Sequence, residues 1–134
     1  MNEFGWAWLF SVVALALHVA DEASHNFLAW YNPQALRIRR ALRGLPFPPT
    51  FTFWPWLLGL SAAVAGLALL TPAAFAGAGW LRDVARVIAI VHLFNGLLHL
   101  AGAARTRRAV PGVLSAPVLL VAGAWLWYAA DKVN

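Results

Sequence analysis

Residues 4–30 read FGWAWLFSVVALALHVADEASHNFLAW, a run that stays free of ionisable groups from Phe4 to Leu17 and then sets two histidines and two acids among apolar neighbours. About 20 apolar residues in a helix rise roughly 30 Å, the thickness of a bilayer's hydrocarbon core. Three further apolar stretches follow at 51–71, 80–104 and 112–130, so spans account for nearly all of the chain. Composition agrees. Of 134 residues 62% are hydrophobic and 11% charged, and mean hydropathy is +0.69. A soluble domain of this size would keep a largely apolar surface. The expected fold is therefore all-α, a four-transmembrane-helix bundle forming a single domain over residues 1–134.

The first span starts almost at Met1, has no basic leader and holds acids where an apolar core should continue, so it is expected to be retained rather than cleaved. Cysteine is absent, which excludes disulfides and thiolate metal sites. The formal net charge is +5, and its placement is informative. Arg37, Arg39, Arg40 and Arg43 lie between spans one and two, and Arg105, Arg107 and Arg108 between spans three and four. By the positive-inside rule both segments face the cytoplasm and the termini face outward. Arg82 and Arg86, beside Asp83, oppose this at the outer start of span three and are outnumbered. Arginines flanking spans mark topology, so the expected partners are membrane lipids and not nucleic acid.

Aromatic residues form two expected belts, Trp6, Trp8, Trp80, Trp125, Trp127 and Tyr128 outside, and Trp30, Tyr31, Phe53, Trp54 and Trp56 inside. Asn32-Pro33 is expected to end span one. The segment Gln34 to Leu45, with leucines among arginines, reads as a short cytoplasmic interfacial helix or a solvated basic loop. Pro46, Pro48 and Pro49 then return the chain to the membrane. Spans two and four contain only Ser61 and Ser115 as internal polar groups, and so read as walls.

All four histidines fall in spans one and three. In HVADEASH, His18, Glu22 and His25 stand at i, i+4 and i+7 along one helix face, with Asp21 at its edge. In HLFNGLLH, His92, Asn95 and His99 stand at i, i+3 and i+7. A shift of 74 residues lays His18 on His92 and His25 on His99, along with Gly5-Trp6 on Gly79-Trp80, which suggests a parallel two-fold internal repeat. In that register His18 and His92 share one depth, and His25 and His99 lie about 10 Å deeper.

An isolated acid at the bilayer centre costs on the order of 3 kcal/mol, so Glu22 needs a partner. A divalent cation would neutralise it and use neutral imidazoles as ligands. The expected ligands are His18, Glu22, His25, His92 and His99, holding one or two ions of zinc or iron. Asp21, Glu22 and Asn95 are the candidate catalytic groups. A protonated His/Glu network joining the two helices, and a haem held by opposed histidines, are the alternatives.

These residues resemble the family of small bacterial membrane proteins named for its HXXEE motif. His18-Val19-Ala20-Asp21-Glu22 is similar to HXXEE with Asp in place of the first Glu, Asn95 to His99 matches NXXXH, and Ala109-Val110-Pro111-Gly112 resembles YXPG without its tyrosine. The resemblance implies a bacterial inner-membrane protein in which His18, Glu22, Asn95 and His99 are the essential set, and it supplies no reaction. The residues suggest a metal-dependent hydrolase acting on a small lipophilic or lipid-like molecule, with Asp21 or Glu22 as general base. Iron-dependent oxidation is the second expectation, since Glu22-Ala-Ser-His25 has the Glu-x-x-His spacing of di-iron bundles. Metal-ion or proton transport through a homo-oligomer is the third.

Overall fold

The structure, a computed structural model, describes residues 2–43 and 45–133. The expected domain limits at residues 1 and 134, and residue 44 of the expected interfacial segment, lie outside these. Every regular element among the described residues is helical: α1 Glu3–Ser24, α2 Phe27–Ala41, α3 Phe53–Leu69, α4 Thr71–Phe75, α5 Leu81–Thr106 and α6 Ala116–Ala130. Three helices are long and apolar enough to cross a membrane, α1, α5 and the combined α3–α4 segment Phe53–Phe75. At 15 residues α6 is apolar but shorter.

The start of α1 is capped by Asn2, whose side-chain oxygen accepts the Gly5 N–H at 3.2 Å, while Glu3 suits the positive end of the helix dipole. The Asn2 amide also donates to Phe75 O at 2.6 Å, tying α1 to α4. The helix ends at Ser24, six residues before the expected limit at Trp30. Ser24 Oγ donates back to Ala20 O at 2.7 Å, and His25 Nδ1 lies 2.9 Å from Asp21 O, so polar side chains take up the last carbonyls. Asn26 then turns the chain with φ 56° and ψ 49°, a left-handed conformation that asparagine tolerates better than most residues.

Phe27 to Trp30 therefore belong to α2, and Pro33 lies inside that helix instead of ending a span. It falls in the second turn, where its missing N–H deprives only the Ala29 carbonyl. Asn32 is a tether: its side chain donates to Phe51 O at 2.9 Å and accepts from Phe51 N at 3.1 Å. The expected interfacial segment thus begins earlier, at Phe27, and its helix stops at Ala41.

α6 runs antiparallel to both α5 and α1. Asp131 at its end pairs with Arg86 near the start of α5, at 2.6 Å, and Lys132 pairs with Glu3 at 3.0 Å. Tyr128 and Glu3 together hold the Lys132 ammonium above its ordinary pKa range. α3 runs back along α1, since Trp8 Nε1 donates to Leu67 O at 3.0 Å and Phe27 stacks on Trp56 at 5.7 Å. Trp8 is a buried core residue, packed in one cluster with Phe4, Val12, Leu81, Ala85, Ala89 and Leu126, and not part of an exposed belt. Its indole N–H explains this, because a backbone carbonyl inside the fold receives it. Both arginine-rich segments sit at the end opposite the termini, where Tyr31 donates to Pro49 O and Trp30 touches Gly102. Between the ends the exterior is apolar. Leu58, Leu69, Phe94 and Val121, on three helices, are each at least 60% exposed, as lipid-facing side chains would be.

Two close approaches set the register. A Cβ on Gly123 would stand 2.9 Å from Ala89 O, and one on Gly96 would stand 3.1 Å from Ala116 O, so α6 lies tightly on α5. Ser115 at the head of α6 is bonded to His18 and Asp21 of α1. The result places Ser11 beside His92 and His18 beside His99. α1 and α5 run parallel, as expected, but the pairing is one heptad away from the 74-residue shift. His18 and His92 do not share a depth.

Gly123→Ala is expected to destabilise the bundle by about 1–3 kcal/mol, the range for overpacking against atoms that cannot move. Gly66→Ala, with no atom within 4 Å of the added methyl, should be neutral or stabilising. Unfolding midpoints in one detergent, compared for the two variants, check this.

Candidate metal centre

α1 places His18 and Glu22 one turn apart on one face, and the register just described brings His99 of α5 to them. Glu22 Oε1 lies 3.1 Å from His99 Nε2 and 3.5 Å from His18 Nε2. One donor atom from each of the three residues lies within 4.8 Å of the others, and the group could hold a metal ion. All three side chains are at most 5% exposed. The imidazoles of His18 and His99 meet edge to face at a centroid distance of 4.8 Å.

The surroundings orient the donors. Ser115 Oγ lies 2.7 Å from Asp21 Oδ2 and 2.8 Å from His18 Nδ1, and Ser115 N–H donates to the same carboxylate oxygen at 2.9 Å. An ionised carboxylate only accepts, so the single hydroxyl proton of Ser115 goes to Asp21. His18 Nδ1–H then donates to Ser115 Oγ, and in the neutral ring this leaves an Nε2 lone pair directed at the centre. That nitrogen is buried and has no hydrogen-bond partner. A bare lone pair facing a buried carboxylate calls for a proton or a cation between them.

The remaining walls are close. Gly112 has φ +84°, and a Cβ there would lie 2.6 Å from His99 Cε1 and 3.0 Å from His18 Cε1. Only glycine offers both that backbone and that clearance. From the arginine-rich end, Phe27 and Trp30 of α2 cover His99 at ring distances of 5.8 and 6.0 Å. On the lipid side a groove lined by Leu17, Leu114 and Val118 reaches Asp21, Ser115 and His25.

Of the residues expected from sequence, His18, Glu22 and His99 converge, and Asp21 lies behind them as a positioning group. His25 does not join them. Its side chain is 54% exposed and pairs with Asp21 Oδ1 at 2.9 Å, because α1 has already ended. His92 lies two turns of α5 away, buried, with Nε2 at 3.1 Å from Ser11 Oγ. Asn95, one turn before His99 on α5, is half-buried. Ser115, Gly112, Phe27 and Trp30 were not singled out as site residues. Ser115 had a visible signal, as the one serine within a largely apolar fourth span, and Pro111-Gly112 lay in the third motif of the resemblance. Span four is therefore part of the site and not only a wall.

Compared with models of known families, with curated proteins and with solved structures, the chain matches none.

Ser115→Ala should lower stability by about 1–3 kcal/mol, since it leaves His18 Nδ1 without its partner and Asp21 Oδ2 with the backbone N–H of residue 115 alone, while Ser61→Ala at an exposed position should not. Chemical denaturation of both in one detergent gives the comparison. Gly112→Ala should displace the His18 and His99 rings, seen as shifted imidazole resonances of those two residues with those of His25 unmoved.

Proposed function

We propose that the protein is a metal-dependent integral membrane hydrolase acting on a lipid-like substrate, with His18, Glu22 and His99 holding one divalent ion, zinc or iron. The observation behind this reading is the convergence of two imidazole nitrogens and a carboxylate oxygen in a buried site. Two histidines and one carboxylate form the ligand set of many catalytic zinc and iron sites that leave a position for water or substrate. Such an ion would supply an activated water or a polarised ester oxygen. Glu22 would offset one of the ion's two positive charges, while Asp21 and Ser115 fix the tautomer of His18 and Gly112 leaves room for the rings.

Several features favour a single ion over a di-iron site or a haem. A second ion would call on His25 or His92, which stand apart from the group. The Glu22 to His25 spacing of a di-iron site does not bring both side chains to one point, since His25 turns outward onto Asp21. His18 and His99 are in ring contact, and His25 and His92 face elsewhere, so no histidine pair is spaced for a haem between them. The HXXEE resemblance gives the same core residues, His18, Glu22 and His99, and with the positive-inside rule it supports a bacterial inner membrane with the arginine-rich end cytoplasmic.

Elemental analysis of protein purified in detergent without chelators is expected to find about one equivalent of a transition metal, with Glu22→Gln and His99→Ala each losing most of it. His25→Ala should retain it. Less than a tenth of an equivalent in the wild type, unchanged after reconstitution with zinc or ferrous iron, would return the cluster to a hydrogen-bonded joint between helices. Product analysis after incubation with a bacterial lipid extract tests the reaction separately; no cleavage by metal-replete protein would refute the hydrolase.

A further inference from the structure

The seven arginines at one end of the protein face no acid. All five acidic residues are engaged elsewhere: Glu3 with Lys132, Asp83 and Asp131 with Arg86, Asp21 with Ser115 and His25, and Glu22 in the centre. The arginine ion pairs among the described residues belong to Arg82 and Arg86 at the opposite end. The helix C-termini nearby offset part of this charge, about half a unit each. Most of it is uncompensated by the chain itself.

Three of these arginines share one groove. Between α2 and the end of α5 runs a cleft of roughly 470 Å³ lined by Trp30, Gln34, Arg37, Leu98, Arg105 and Thr106. It adjoins a second cleft through Trp30, Gln34 and Thr106, which adds Arg108, Ala109 and Val110. Ala109 and Val110 in turn border the groove that holds Asp21 and His25. Arg39, Arg40, Arg43 and Arg107 line none of these. The groove therefore has a guanidinium-rich mouth with two neutral hydrogen-bonding side chains, an apolar side formed by Leu98, and Trp30, whose far face stacks over His99. Guanidinium groups pair with phosphate oxygens in two-point contacts that ammonium groups cannot match. The mouth sits at the arginine-rich end, beside the apolar exterior to which the exposed Leu98 belongs.

We propose that this groove binds the phosphate of an anionic amphiphile, a phospholipid or lipid phosphate, and thereby selects the substrate of the neighbouring centre. Arg37, Arg105 and Arg108 hold the phosphate, the Gln34 amide adds a hydrogen bond, and the acyl chains lie along Leu98. The link to catalysis rests on the hydrolase reading; the binding site itself does not.

Binding of dihexanoyl phosphatidylglycerol to detergent-solubilised full chain, measured by calorimetry, should saturate at one site per chain. Arg37→Ala/Arg105→Ala should weaken it at least tenfold, and Arg39→Ala/Arg40→Ala, outside the groove, less than twofold. Dihexanoyl phosphatidylcholine should bind at least tenfold more weakly, as should inorganic phosphate. Equal losses in both arginine pairs would show a diffuse basic surface and overturn the proposal. Inorganic phosphate binding as tightly as the lipid would overturn the amphiphile. Glu22→Gln should bind phosphatidylglycerol like the wild type, so a protein that binds lipid but holds no metal would refute only the hydrolase reading.

Discussion

A carboxylate inside an apolar bundle must be matched, and Glu22 is the point at which this chain meets that demand. Its side chain is 5% exposed and one oxygen faces both His18 and His99. Neither helix alone can satisfy it. α1 supplies one imidazole a turn away, and the second comes from a residue 77 positions later, so the depth of α5 against α1 is constrained by the acid as much as by packing. The cost of burying an unmatched charge exceeds what most single apolar contacts return, which makes the polar cluster decisive for the arrangement.

That arrangement is transmitted through α6. Its glycine and alanine positions seat it on α5, and Ser115 at its head reads the position of α1 by bonding to both Asp21 and His18. A helix with no charged side chain and no histidine thus links the two that hold the donors. Asp21 gains a distinct role from this. One of its oxygens serves Ser115 and the other His25, so it organises the centre from behind and is not placed beside the donor atoms.

Helical class, three apolar helices of membrane-crossing length and the common end of the two arginine-rich segments were legible in hydropathy and charge, because these depend on composition over long windows. The core of the site was legible too: His18 and Glu22 share a face by simple periodicity, and ionisable groups in an apolar span stand out. Register was not legible. Histidines at matching intervals in α1 and α5 suggested equal depths, but depth is fixed by Gly96, Gly123 and Ser115, whose partners on the facing helices are not written in one dimension. The ends of α1 and α2 were misplaced for a local reason. Pro33 is a strong stop signal in a string of letters, whereas the actual break comes from Ser24, His25 and Asn26 turning their side chains back on the backbone.

The brevity of α6 has a consequence for the solvent around the centre. Fifteen residues rise about 22 Å, short of the roughly 30 Å of hydrocarbon that its longer neighbours are able to span. Such a hydrophobic mismatch is relieved by local thinning of the bilayer or by entry of water at the short helix's end. That end is where Gly112 and Ser115 flank His18 and His99. Thinning at that end would put interfacial water within reach of a centre that the long helices otherwise keep dry.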